Sequence, residues 1–164
     1  MIEIHKLRWS DRELHTRLPF KYGIATMVKV THVWLELEAT IDGERVSGQS
    51  ADHLPPKWFT KDPNRPLEEE VEEMRDVLDH AGAVAVGEPC ETVHALMQHV
   101  AHAQEEWARG EGLPTLLSHF GVTFVERALI DAFCRRHGTP VGEGLRLTGL
   151  GVVLGDLHPE LSDW

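Results

Sequence analysis

The chain has 164 residues, of which 41% are hydrophobic and 26% charged, the balance of an ordinary soluble globular domain rather than of a disordered segment. Sixteen basic residues stand against 27 acidic ones for a net charge of −11, and no basic run supplies the stripe that a phosphate backbone requires, so nucleic acid is not an expected partner. Nothing approaches the roughly 18 consecutive apolar residues of a membrane span, and the charged start Met1-Ile2-Glu3-Ile4-His5-Lys6 lacks the apolar run of a signal peptide; the expected location is cytoplasmic, with no membrane partner.

In chain order, Ile2 to His15 suits a first strand, closed by Arg17-Leu18-Pro19, where proline breaks regular pairing. After a loop, Val33, Leu35, Leu37, Ala39 and Ile41 alternate with Trp34, Glu36, Glu38 and Thr40, the period of two of a strand with one buried face. Asp42-Gly43 supplies a tight hairpin turn, and Glu44 to Ala51 returns as the antiparallel partner. The period then changes. Leu67, Val71, Met74, Leu78 and Ala81 recur at helical spacing behind Pro66, with Glu68, Glu69, Glu70, Glu72 and Glu73 on the other face. A second helix is expected from the N-cap Thr92 to Gly110, and a third from Val122 to His137, stopped by Gly138 and Pro140. Sheet first and helices after is an α+β order.

Three segments taken in this order resemble the N-terminal part of the mandelate racemase and muconate-lactonizing branch of the enolase superfamily. Arg17-Leu18-Pro19-Phe20-Lys21-Tyr22-Gly23-Ile24-Ala25-Thr26 is similar to the loop between the first two strands of that family's cap. Gly48-Gln49-Ser50-Ala51-Asp52-His53-Leu54-Pro55-Pro56-Lys57-Trp58-Phe59 falls where the family has a glycine, a small polar run and a second loop. The helix Phe124 to Cys134, carrying Asp131 and followed by Gly138-Thr139-Pro140, resembles the family's alanine-rich helix and its Gly-x-Pro turn.

The resemblance implies an enolase N-terminal-like cap over residues 1–120, a three-stranded antiparallel meander followed by a helical bundle, and over 121–164 a lead-in helix and linker toward a (β/α) barrel. It implies a lyase or isomerase (racemase, dehydratase or cycloisomerase) in which a barrel of about 250 residues holds a divalent metal, Mg2+, and removes a proton next to a substrate carboxylate. Residues 150–164 end about where the first barrel strand is expected, so no catalytic residue, metal ligand or cofactor is assigned to this chain. What carries over is the role of two loops that close over the barrel mouth and choose the substrate. The candidates for substrate contact are therefore Phe20, Lys21, Tyr22 and Ile24 from the first loop, and Leu54, Lys57, Trp58 and Phe59 from the second. Lys21 and Lys57 could attract a carboxylate as point charges, and Tyr22 and Trp58 could wall off water. The expected partner is the barrel, in cis or in trans; the alternative is a stand-alone non-enzymatic module that dimerises or binds a separate barrel chain. Either way, the helix from Val122 is expected to expose an apolar face for its partner to cover.

Plainer readings stand beside these. Phe20, Trp58 and Phe59 could simply pack sheet against helices, and Lys57 and Lys61 could be solvated. The histidines His94, His99 and His102 read as exposed or core residues rather than metal ligands, and the glutamate run as a solvated helix face. Asp131 reads as fixing helix packing or a cap, and Cys90 and Cys134 as reduced and structural. Gly149-Leu150-Gly151 lacks the third glycine of a phosphate-binding loop.

Overall fold

A computed structural model of the chain describes residues 1–146 and 150–162. Gly149, first residue of the Gly-Leu-Gly run, lies outside them. Three antiparallel strands in the order β1-β2-β3 form a meander: β1 (Ile2–Tyr22), β2 (Ala25–Ile41) and β3 (Glu44–Leu54). The helices follow as α1 (Leu67–Ala85), α2 (Val93–Glu111) and α3 (Thr115–His137), then the short α4 (Val141–Gly144) and α5 (Leu154–Leu157). This is the α+β meander-then-helices arrangement that the hydrophobic periods predict.

The alternation in β2 decides which face of the sheet is buried. Val33, Leu35, Leu37, Ala39 and Ile41 are at most 1% exposed, while Trp34 and Glu38 between them face solvent. In the register Leu7 and Trp9 on β1 sit opposite Leu37 and Leu35, and Gly48 on β3 sits opposite Leu37. Asp42 and Gly43 both take positive φ, 50° and 80°, as a two-residue hairpin of right-handed strands demands.

The first hairpin is longer than the sequence reading predicts. The segment Arg17–Thr26, expected as a loop, is mostly strand: β1 continues to Tyr22, turns at Gly23-Ile24 and pairs again with Ala25, Thr26 and Met27. Proline is tolerated because the ladder is interrupted there. Between the pairs His15↔Lys29 and Phe20↔Met27, residues 16–19 stand against Val28 alone, so Pro19 lies in a bulge where a missing N–H costs no ladder bond.

Helix α3 also differs from expectation. It begins at Thr115 after Pro114, and the apolar face expected from Val122 onward is not left for a partner: Phe124, Ala128, Leu129 and Ala132 are fully buried and Phe133 is 2% exposed. It packs on β2 and β3 on one side and on α1 and α2 on the other. Close approach to the sheet depends on Gly48, where an added Cβ would lie 2.1 Å from the Ala128 carbonyl oxygen and 2.6 Å from the Ala132 nitrogen. The seam is tied by the Ser50 hydroxyl donating to the Phe124 carbonyl at 2.7 Å and the Gln49 N–H donating to Asp131 Oδ2 at 2.9 Å. Asp131 thus fastens strand to helix. On the far side Gln104, fully buried, donates to the carbonyls of Val77 at 2.9 Å and Ser118 at 3.2 Å, joining all three long helices.

Cys134 is buried, Cys90 is half-buried, and both are free thiols that burial pushes above the ordinary cysteine range. Among the described residues no helix is long and apolar enough to cross a membrane.

Candidate functional site

Beyond Leu54, where β3 ends, the β1–β2 hairpin continues as a two-stranded arm. Opposite it lies the 55–66 connection into α1, and below both lies the N-terminal half of α3. Together they border an open cavity of about 690 Å³, within the size range of small-molecule sites.

The connection has no regular structure, so its shape must come from side-chain bonds. Lys57 provides them. It takes a left-handed φ of 65°, and its backbone N–H and its ammonium both donate to Glu70, at 2.5 Å and 2.6 Å. The ammonium also donates to the carbonyls of Asp62 at 2.8 Å and Arg65 at 2.6 Å. Lys57 and Glu70 are only 6% and 3% exposed, so neither is solvated: this lysine shapes the loop and has no donor left for a ligand. Glu70 departs likewise from the solvated helix face expected of its neighbours. Arg65 adds a two-point pair to Glu73 through both terminal guanidinium nitrogens.

This framework presents Trp58, 55% exposed, and Phe59 to the cavity. Across from them stand Phe20 and Tyr22, stacked with ring centroids 6.0 Å apart, and the Tyr22 ring lies 6.0 Å from Trp58. The Tyr22 hydroxyl donates to the Pro56 carbonyl, tying arm to loop. Burial, with a smaller contribution from the Glu70 charge, pushes the Tyr22 phenol above its ordinary value. A second run of rings, Phe59, Phe120 and Phe124, continues into the core with centroid separations of 5.3 Å and 5.2 Å.

Of the eight candidate contact residues, four line this cavity together: Phe20, Tyr22, Trp58 and Phe59. Lys21 is exposed and Ile24 sits 54% exposed at the hairpin tip, both outside the lining, while Leu54 is fully buried in the core. The sequence reading misses the floor, formed by Leu116, His119, Phe120 and Thr123. Their spacing of i, i+3, i+4 and i+7 is one face of a helix, a signal available once the helix start is placed at Pro114 rather than at Val122. His94 and His102, set aside as ligands, meet Gln98 and Glu106 on their own helix.

No family model matches the chain, and no curated protein matches it. Solved structures do. A mandelate racemase/muconate lactonizing enzyme-like protein from Rubrobacter xylanophilus superposes with a TM-score of 0.56 at 21% identity over 86% of this chain and 33% of that one. An enolase with bound magnesium from an alphaproteobacterium, BAL199, gives 0.62 at 17% identity over 88% and 34%. The muconate lactonizing enzyme of Pseudomonas fluorescens, complexed with muconolactone, gives 0.59 at 21% identity over 86% and 33%. At these identities the likeness establishes the fold: the chain is built like the N-terminal part of larger enolase-superfamily proteins and spans about a third of their length.

Proposed function

We propose that the chain is the capping, substrate-selecting part of an enolase-superfamily enzyme that removes a proton α to a carboxylate with the help of a divalent metal. The observation that carries this reading is the cavity walled by Phe20, Tyr22, Trp58 and Phe59, brought together from the two segments whose order and spacing resemble the family's loops. In this proposal a (β/α) barrel, in cis or in trans, supplies the acid, the base and the metal ligands. Among the described residues no group of three or more histidines, cysteines or carboxylates is placed to hold a metal ion. The chain's own part is to position and to exclude water: aromatic walls strengthen every electrostatic interaction on the reacting centre by removing its solvent.

A second reading, a self-sufficient module that dimerises or docks on a separate barrel chain, is favoured by the burial of the α3 apolar face within the chain's own core. The intact mass of the protein from its source separates the arrangements. A mass near 18.5 kDa supports the module or a barrel in trans, and one larger by about 27 kDa, a barrel of about 250 residues, supports the barrel in cis.

Activity is tested by incubating the natural protein, with whatever co-purifies, in heavy water with Mg2+ and a panel of carboxylates. Loss of the α-proton signal is expected. No exchange with any of them refutes the enzymatic reading. In the active protein Tyr22→Ala and Trp58→Ala are expected to change the kcat/KM ratio between two substrates by about tenfold or more; unchanged ratios would remove these residues from substrate selection.

A further inference from the structure

We infer that the ligand this cavity selects presents it with a bulky uncharged hydrocarbon or aryl group, and that the cavity rejects polyhydroxylated chains. The inference rests on the proposed function only in taking that ligand to be a carboxylate.

The argument starts from the walls. Leu14, Phe20, Met27 and Val30 from the hairpin arms face Trp58 and Phe59 from the loop, with Leu116 and Phe120 on the floor. Of the polar side chains among the lining that could read hydroxyl groups, all but His53 already hold a protein partner. Thr16 donates to the Met27 carbonyl at 3.3 Å and Thr123 to the Phe120 carbonyl at 2.9 Å. Tyr22 donates to Pro56. Asp52 pairs with Arg127 at 3.0 Å, His119 with Glu105 at 2.8 Å and His15 with Glu13 at 3.3 Å. His53 also lines the cavity, with its ring 4.9 Å from that of His32.

Among the described residues no lysine or arginine lines the cavity. The two lysines that the sequence offers are elsewhere, Lys21 outside the lining and Lys57 closed onto Glu70. A substrate hydroxyl set against these apolar walls would give up water and gain no partner from them, whereas an apolar group would be covered on several sides. The carboxylate must then point out of the cavity, toward whatever holds the reacting end.

The test uses the 164-residue chain itself, whose core is closed without a partner. Two monocarboxylates of equal charge are compared, 3-phenylpropionate and gluconate, by following the methyl resonances of Leu14, Met27 and Leu116 on titration. 3-Phenylpropionate is expected to shift these methyls and to bind at least about tenfold tighter than gluconate. Trp58→Ala and Leu116→Asn, both at exposed positions and so safe for folding, are each expected to weaken 3-phenylpropionate by about tenfold while leaving gluconate unchanged.

Equal or tighter binding of gluconate, no shift with either ligand, or indifference of 3-phenylpropionate to both substitutions overturns the inference. Its failure is distinct from failure of the proposed function. Exchange of α-protons confined to polyhydroxylated acids would sink the inference and leave the function standing, whereas selective binding of 3-phenylpropionate without any exchange would do the reverse.

Discussion

Glu70 holds Lys57 at two points, one carboxylate oxygen on the backbone N–H at 2.5 Å and the other on the ammonium at 2.6 Å. Both residues are buried, so removing one partner strands the other as an uncompensated charge. Breaking a buried pair in this way costs about 3–5 kcal/mol. Glu70→Ala is therefore expected to lower the unfolding free energy in urea by about that amount, and to speed amide exchange at Trp58 and Phe59 before the rest of the chain. Lys61→Ala, at an exposed position, should stay within about 0.5 kcal/mol of the parent. Equal effects of the two substitutions would show that the clamp contributes nothing.

Tyr22 is the only tyrosine in the chain, so its ionisation can be followed directly by the phenolate absorbance. Burial raises its pKa, and the neighbouring Glu70 charge adds to the shift. With the folded value raised, the native chain keeps the proton where the unfolded chain has released it. The associated stability is present below the ordinary tyrosine value of about 10 and is lost as pH rises above it toward the folded value. The titration midpoint is expected above that of the urea-unfolded chain. Glu70→Gln should bring it only part of the way back, because burial is the larger cause. Tyr22→Phe should remove this part of the alkaline loss of stability.

On α1, Asp76, at an exposed position, has its carboxyl pushed above the usual aspartate range, first by partial desolvation and then by Glu72, Asp79, Glu73 and Glu111. A raised carboxyl contributes stability at low pH that is lost as pH rises through its folded value. Asp76→Asn is thus expected to raise the melting temperature at neutral pH. The gain should vanish below about pH 4, where the unfolded carboxyl is protonated as well, and should shrink in high salt as the repulsion is screened. A melting temperature unchanged by the substitution at neutral pH would contradict this.

Sequence alone discloses the elements whose environment is one-sided. The residues from Val33 to Ile41 alternate because one face of β2 meets helices and the other meets water. The regular apolar positions of α1 have the same cause. Helix α3 is covered by the sheet on one side and by two helices on the other, so the polar stripe that marks a helix boundary is weak and its first turn is missed. Pro19 reads as a strand end because nothing local announces that residues 16–19 bulge away from the ladder. At the site the aromatic residues are legible as a group, through their resemblance to the two loops. The placement of Lys57 is not, since the partner that buries it lies 13 residues away on a helix face that reads as solvated.

Three glycines separate close approach from mere permissiveness. A Cβ at Gly48 would meet the Ala128 carbonyl oxygen at 2.1 Å, and one at Gly121 would meet the Val77 carbonyl oxygen at 2.0 Å. In both cases the obstacle is backbone, which cannot turn aside as a side chain can. Gly48→Ala must move β3 from α3, and Gly121→Ala must move α3 from α1, so each is expected to cost at least the 1–3 kcal/mol typical of overpacking (about 2 kcal/mol). Gly48→Ala should also disturb the Gln49–Asp131 and Ser50–Phe124 bonds, visible as faster exchange of the Gln49 amide. Gly110 sits near the end of α2 with nothing within 4 Å of its added Cβ. There alanine only removes the flexibility of the unfolded chain, and Gly110→Ala is expected to stabilise by up to about 1 kcal/mol. Urea unfolding of the three variants side by side decides the matter: a Gly48→Ala chain as stable as the parent would mean that strand and helix are not held as close as their hydrogen bonds require.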